Sequence, residues 1–255
     1  MKKISIIMGV HNGAHRFNEA IKSIVEQTYT NWEFVICDDG SSDGSYELLK
    51  KYEESDNRFK VIQNNGNKGL PYTLNHCLEC CTGEYIARMD DDDYCYPDRF
   101  EKQVKFLEEH ADVSFVSSCV DLWDGRKMIG RLMHPEYPTI RNLVYQTQFV
   151  HPATMFRAKD IKAVGGYRVC KDTMRGQDYD LFMRMYGAGH KGANLQQPVY
   201  RYLMDNNNIK RRTLKARVGE FKIRIHGYNA MGVMWWAWPF LMKPFIAHII
   251  TKLRY

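Results

Sequence analysis

Apolar residues fall in short blocks separated by polar turns. Residues 4–8 form a compact apolar run of the kind that fills a buried, central parallel strand. A turn over residues 9–13 follows, and then Ile21, Ile24 and Val25 recur at helical spacing. Residues 33–37 predict a second strand, Tyr46, Leu48 and Leu49 open a second helix, and residues 59–63 predict a third strand. An Asn/Gly-rich loop occupies residues 64–69. A β-rich run over residues 84–88 leads into Asp90, Asp91, Asp92 and Asp93. Strand alternating with helix at this pitch predicts an α/β fold, a βαβαβ half of a doubly wound, Rossmann-like sheet flanked by helices.

The second half is less regular. Residues 97–109 predict a helix with Phe100, Val104 and Leu107 on one face, and residues 113–116 a strand. Residues 121–132 alternate around Asp124-Gly125, a hairpin signal. Residues 137–145 read as a helix and residues 153–156 as a short strand. Gly165-Gly166 marks a turn, and Gly176-Gln177-Asp178 opens a helix over residues 179–186. Asp178 then stands at a helix N-terminus, where a carboxylate also serves as a cap.

Near Asp205 the composition shifts. Lys210, Arg211, Arg212, Lys215, Arg217, Lys222 and Arg224 precede an uncharged stretch, residues 227–242, that holds Trp235, Trp236 and Trp238. That stretch is shorter than the ~20 apolar residues a spanning helix needs. It suits an interfacial element on an anionic bilayer. The alternative is a helix pair packed on the domain, or on a sister subunit in a homodimer. The expected division is therefore 1–205 as catalytic domain, with 1–93 binding nucleotide and 94–205 binding acceptor, and 206–255 as a helical tail.

The 255 residues are 44% hydrophobic, enough for one large α/β domain or two small ones. The net charge of +6 suits anionic ligands or an anionic membrane, and no nucleic-acid-binding module is present. Seven scattered cysteines point to a reducing compartment. Cys77, Cys80 and Cys81 lack a second ligand cluster and read as packing residues. The N-terminal apolar run is too short for a signal peptide, so the expected location is cytoplasmic, peripheral on the inner membrane face.

Right-handed crossovers bring the C-terminal ends of parallel strands to one edge, where ligands bind. His11 and Asn12, Asp38 and Asp39, Asn67, and residues 90–93 all follow predicted strands. Four successive strand ends with polar or acidic groups predict a single site. Neither G-x-G-x-x-G nor a Walker sequence occurs, so charge compensation for a bound phosphate falls to a cation.

Several motifs coincide in order: S-I-I-M-G-V-H-N at 5–12, C-D-D-G-S-S-D-G at 37–44, N-K-G-L-P-Y-T-L-N at 67–75 and G-E-Y-I-A-R-M-D-D-D-D at 83–93. H-P-A-T-M-F-R at 151–157, G-G-Y-R at 165–168 and Q-D-Y-D-L at 177–181 follow. Together they resemble family 2 glycosyltransferases, inverting enzymes of the GT-A fold, from Ile4 to about Tyr202. The resemblance implies sugar transfer from a nucleotide-diphosphate sugar, UDP favoured, to a hydroxyl of a glycan or lipid-linked glycan. It places Asp39 on the nucleotide base with Asp38 beside it, and His11, where the family often has Tyr, with Asn12 and Lys68 in the same pocket. Asp90 then lies near ribose and metal, Asp92 contacts Mn²⁺ or Mg²⁺, and Asp91 points away. Asp178 matches the general base, after Gln177 where the family usually has Glu. His151 corresponds to a position near acceptor or diphosphate, with packing as its other reading, and Arg157 and Arg168 to phosphate contacts or surface ion pairs. Two rivals remain: a nucleotidyltransferase, and a non-catalytic sugar-binding protein of the same fold.

Overall fold

In the computed structural model, which describes residues 1–204 and 213–254, three βα units come first. β1 (Ile4–Val10), β2 (Trp32–Asp38) and β3 (Phe59–Gln63) are parallel neighbours linked by α1 (Phe17–Val25) and α2 (Ser45–Ser55). α3 (Leu70–Cys80) leads to β4 (Tyr85–Arg88), parallel to β1 on its other side. The apolar runs of β1 and β2 are continuous because both of their faces are covered, whereas the edge strand β3 exposes Lys60. Ile4, Ile6 and Met8 pack with Phe17 and Ile21 on one face, whereas Ile7 packs with Leu74 and Cys77 on the other. Each such fully buried side chain contributes roughly 1.5–3 kcal/mol.

Beyond the aspartate row come β5 (Tyr94–Cys95), α4 (Arg99–Glu109), β6 (Val113–Ser118) and the hairpin of β7 (Val120–Trp123) and β8 (Met128–Leu132). Next are α5 (Ile140–Tyr145), β9 (Met155–Arg157), α6 (Ala158–Ala163), α7 (Gln177–Gly187), β10 (Lys191–Leu195) and β11 (Tyr200–Leu203). The main sheet has the order β3-β2-β1-β4-β9-β6-β10, with β9 inserted antiparallel to both of its neighbours. A second sheet, β5-β11-β7-β8, carries the hairpin and closes over the end of the aspartate row. The sheet is mixed, as expected of a Rossmann-like GT-A sheet flanked by helices.

The tail is docked. α8 (Leu214–Ala230) lies against α7, and a Cβ on Gly227 would stand 2.4 Å from Met183 Sδ, so a larger residue there would have to displace Met183. After α8 come α9 (Met234–Ala237) and α10 (Lys243–Arg254). Ile223, Tyr228, Val233 and Ala237 share one core with Phe182 and Met183. The packing alternative is thus realised for the inner face, whereas Trp235, Trp238, Met242, Ile246 and Ile249 stay exposed. Asp205, Lys210, Arg211 and Arg212 lie outside the described residues.

Candidate active site

The loops after β1, β2 and β3 interlock. Asn12 takes a positive φ of 51° after exposed His11, and its Oδ1 accepts from Ser42 N at 2.9 Å. Gly40, at φ +70°, lies so close to Gly66 that a Cβ would stand 2.6 Å from its backbone. Asp38 is fully buried: Oδ2 accepts from Ser41 N and Gln63 Nε2, each at 3.1 Å, and Oδ1 is buried with no hydrogen-bond partner. Asp39 accepts from Asn64 Nδ2, Lys68 N and Gly69 N, each at 2.8 Å. Its carboxylate is therefore turned into the protein's own loop, holding exposed Lys68 in place.

The aspartate row resolves into four different environments. Asp90 Oδ1 lies 2.5 Å from the fully buried Arg88 guanidinium. Asp91 is buried and accepts on Oδ2 from Arg16 Nε at 3.0 Å and Nη2 at 2.8 Å, beside Gly13. Asp93 is buried, accepting from Tyr200 Oη at 2.9 Å and Leu203 N at 2.7 Å, which ties β11 to the row. Asp92 is exposed and has no hydrogen-bond or ion-pair partner among the described residues. Desolvation, then repulsion from Asp90 and Asp91, pushes it up to about 6, against the pull of Arg16 and Arg88. A carboxylate left bare and electrostatically strained is one a hard cation relieves. No group of three or more His, Cys, Asp or Glu able to hold a metal occurs among the described residues. Protein ligation by one or two carboxylates, completed by diphosphate oxygens, is the arrangement Mg²⁺-type sites use.

Asp178 comes from the other half of the chain. It lies in the first turn of α7, whose N-cap is Gly176 at φ 82°, so the cap is a backbone one and Asp178 is not the N-cap residue. Burial raises its pKa, Asp90 adds to that, and the Tyr179 N–H and Arg88 oppose it. Met174, in the loop before α7, touches Gly69 beside Lys68. Tyr202 on β11 connects the two sides: burial, then the charges of Asp90, Asp93, Asp92 and Asp178, keep its phenol protonated. All four carboxylates thus act on one hydroxyl. Gln177, half-buried, begins the same helix.

Three further residues singled out in the sequence, His151, Arg157 and Arg168, are engaged by the protein itself. His151 is buried behind the site, 2.7 Å from Tyr167 Oη, and burial, then Arg88, push it well below the usual imidazole range. Arg157 pairs with Tyr85, at the sheet edge opposite Asp90, and donates to the carbonyls of Leu107, His110 and Val113. It ties strands and a helix end together. Arg168 forms a buried-acid pair with Asp180, 2.6 Å away, which Arg184 shares. Sequence reasoning missed Arg16, Arg88, Tyr200 and Tyr202. Arg88 did leave a signal, a charge within an otherwise apolar strand.

The chain belongs to the family described as "Glycosyl transferase family 2", which matches residues 5–165. Among its relatives, EpsE of Bacillus subtilis (strain 168), provisionally named a glycosyltransferase, is 40% identical over 212 residues, 83% of this chain and 76% of EpsE. The Escherichia coli UDP-Glc:alpha-D-GlcNAc-diphosphoundecaprenol beta-1,3-glucosyltransferase WfgD is 32% identical over 141 residues, 55% of this chain and 54% of its own. Among solved structures, S. aureus TarS 1–349 in complex with UDP-GlcNAc superposes with a TM-score of 0.72 at 19% identity, over 90% of this chain and 70% of that one. The fold is GT-A.

Proposed function

We propose that this chain transfers a hexosyl or N-acetylhexosaminyl group from a UDP-sugar to a hydroxyl of a glycan or lipid-linked glycan, with inversion, in cell-surface polysaccharide synthesis. The observation that carries this reading is the aspartate row itself, in which Arg88, Arg16 and Tyr200 hold Asp90, Asp91 and Asp93 and leave Asp92 bare. A single displacement needs a cation on the leaving diphosphate and a base across the anomeric carbon. Asp92, with Asp90, would hold Mn²⁺ or Mg²⁺, which neutralises charge on the departing diphosphate. Asp178 takes the proton from the attacking hydroxyl, and the burial that raises its pKa makes it a stronger base for that task. His11, Asn12 and Lys68 line the nucleotide pocket, and buried Asp38 and Asp39 shape it, Asp38 through Ser41 and Gln63 and Asp39 through its hold on the 64–69 loop. The UDP donor and lipid-diphosphate acceptor named for WfgD, and the UDP-GlcNAc bound by TarS, support the donor and acceptor classes.

The tail brings the site to a membrane. No helix among the described residues is long and apolar enough to cross one. The exposed ridge of Trp235, Trp238, Met242, Ile246 and Ile249 is instead the shape of an interfacial contact, peripheral on a cytoplasmic face. Residues 206–255 hold ten Lys and Arg against one Glu, which favours an anionic surface. A thermal-shift screen of UDP-, GDP-, dTDP- and CMP-sugars with and without Mn²⁺ tests the donor assignment. UDP-sugars with Mn²⁺ should stabilise most, and stabilisation by none of them would overturn it.

A further inference from the structure

The hold of Asp39 on its loop depends on a side chain that is itself held. Asn64 is buried, and both ends of its amide are engaged. Nδ2 donates to Asp39 Oδ1 at 2.8 Å and to Thr73 Oγ1 at 3.0 Å. Oδ1 lies 2.8 Å from His76 Nδ1, with the Cys37 thiol 3.5 Å away as a weaker donor. Turning the amide over would set its oxygen against the Asp39 carboxylate, so Oδ1 must face the imidazole. A carbonyl oxygen only accepts, so His76 carries a proton on Nδ1. A chain of hydrogen bonds therefore runs from His76 through Asn64 to Asp39, whose oxygens also accept from Lys68 N and Gly69 N, each at 2.8 Å. The helix that carries His76 is a firm base. α3 packs on β1 and β2 with Leu74 and Cys77 in the core. Its Asn75 grips the backbone of Tyr167, donating to O at 2.7 Å and accepting from N at 2.8 Å. His76 itself is half-buried, at the outer end of the chain of bonds.

Resting on the reading of the 64–69 loop as a wall of the donor pocket, we propose that His76 is a positioning residue for nucleotide binding. Its Nδ1–H keeps the donor end of the Asn64 amide turned to Asp39, and so fixes the backbone of Lys68 and Gly69. It acts through Asn64 rather than by touching the nucleotide.

The test compares His76→Leu, which keeps bulk and removes the donor, with His76→Asn, whose Nδ2 takes the place of the ring Nδ1. Amide hydrogen exchange at Lys68 and Gly69 is read in the nucleotide-free full chain, and UDP affinity with Mn²⁺ is read by calorimetry. A thermal melt confirms the fold of each variant. His76→Leu should speed exchange at both amides and weaken UDP roughly three- to ten-fold, the range that one neutral hydrogen bond supplies. His76→Asn should recover most of both, whereas a role confined to packing would favour Leu over the smaller, polar Asn. Unchanged exchange in folded His76→Leu, or no recovery in His76→Asn, would overturn the proposal. Faster exchange with unaltered UDP affinity would instead overturn the reading of that loop as part of the donor pocket.

Discussion

Arg88 Nη1 lies 2.5 Å from Asp90 Oδ1, and the whole guanidinium is sealed beneath the site. Arg88 also pulls Asp92 and Asp178 down electrostatically, while burial and Asp90 push both up. A buried ion pair that loses one partner leaves the other uncompensated, which typically destabilises by ~3–5 kcal/mol. Asp90 is partly exposed, so the effect here should fall at the lower end. Arg88→Met should therefore melt earlier, and the acid limb of its pH–rate profile should move to higher pH. Denaturant melts and the profile check this together; an unmoved limb would remove Arg88 from the electrostatics of Asp178.

Asp92 makes an opposite prediction for stability. Its folded pKa, about 6, is raised above the unfolded value, so it contributes stability below about pH 4 that is lost as pH rises through 6. At pH 7 the ionised side chain costs the metal-free protein stability. Asp92→Asn should then raise the melting temperature of the metal-free protein at pH 7, and the gain should vanish near pH 4. Discounted for the group's exposure, the gain is about 1 kcal/mol, or ~2–4 °C. The same variant should lose the stabilisation that Mn²⁺ with UDP gives the unaltered chain.

How much of this was legible varies by element. The third strand matched residue for residue, Phe59–Gln63, because an edge strand with one covered face alternates: Phe59 and Val61 are buried and Lys60 is exposed. Val25 shares the spacing of Ile21 and Ile24 but is exposed, since it lies in the last turn, beyond the reach of the sheet. The helix expected over 137–145 begins only at Ile140, where Thr139 and Asn142 form a capping box after Pro138. The antiparallel entry of Met155–Arg157 had no signature, because three residues carry no period. The acidic strand ends were visible as a class. Their division of labour was not, because Arg16, Arg88 and Tyr200 reach Asp91, Asp90 and Asp93 only through the fold.

Asp39 holds three N–H donors from one loop. Asp39→Asn puts an amide where carboxylate oxygens are needed and should cost ~1–3 kcal/mol of loop order. The expected result is a raised KM for the nucleotide sugar, roughly ten-fold, with a smaller change in kcat. A fall in kcat alone would mean that the loop does not shape the donor pocket.

The Trp ridge predicts lipid dependence. In sedimentation with phosphatidylglycerol vesicles, Trp235→Ser combined with Trp238→Ser should reduce the bound fraction several-fold and leave the thermal melt nearly unchanged, since both rings are exposed. Equal sedimentation of the two proteins would assign that ridge to a protein partner.

The most direct measurement is UDP released from a UDP-sugar by Asp178→Asn, compared with UDP affinity in the same variant. Asp178 reaches the site from α7 and makes no stabilising contribution to nucleotide binding in this scheme. UDP affinity should stay within about two-fold, while turnover falls by ~10²–10⁴. Turnover within ten-fold of the unaltered chain would contradict a displacement driven from that carboxylate.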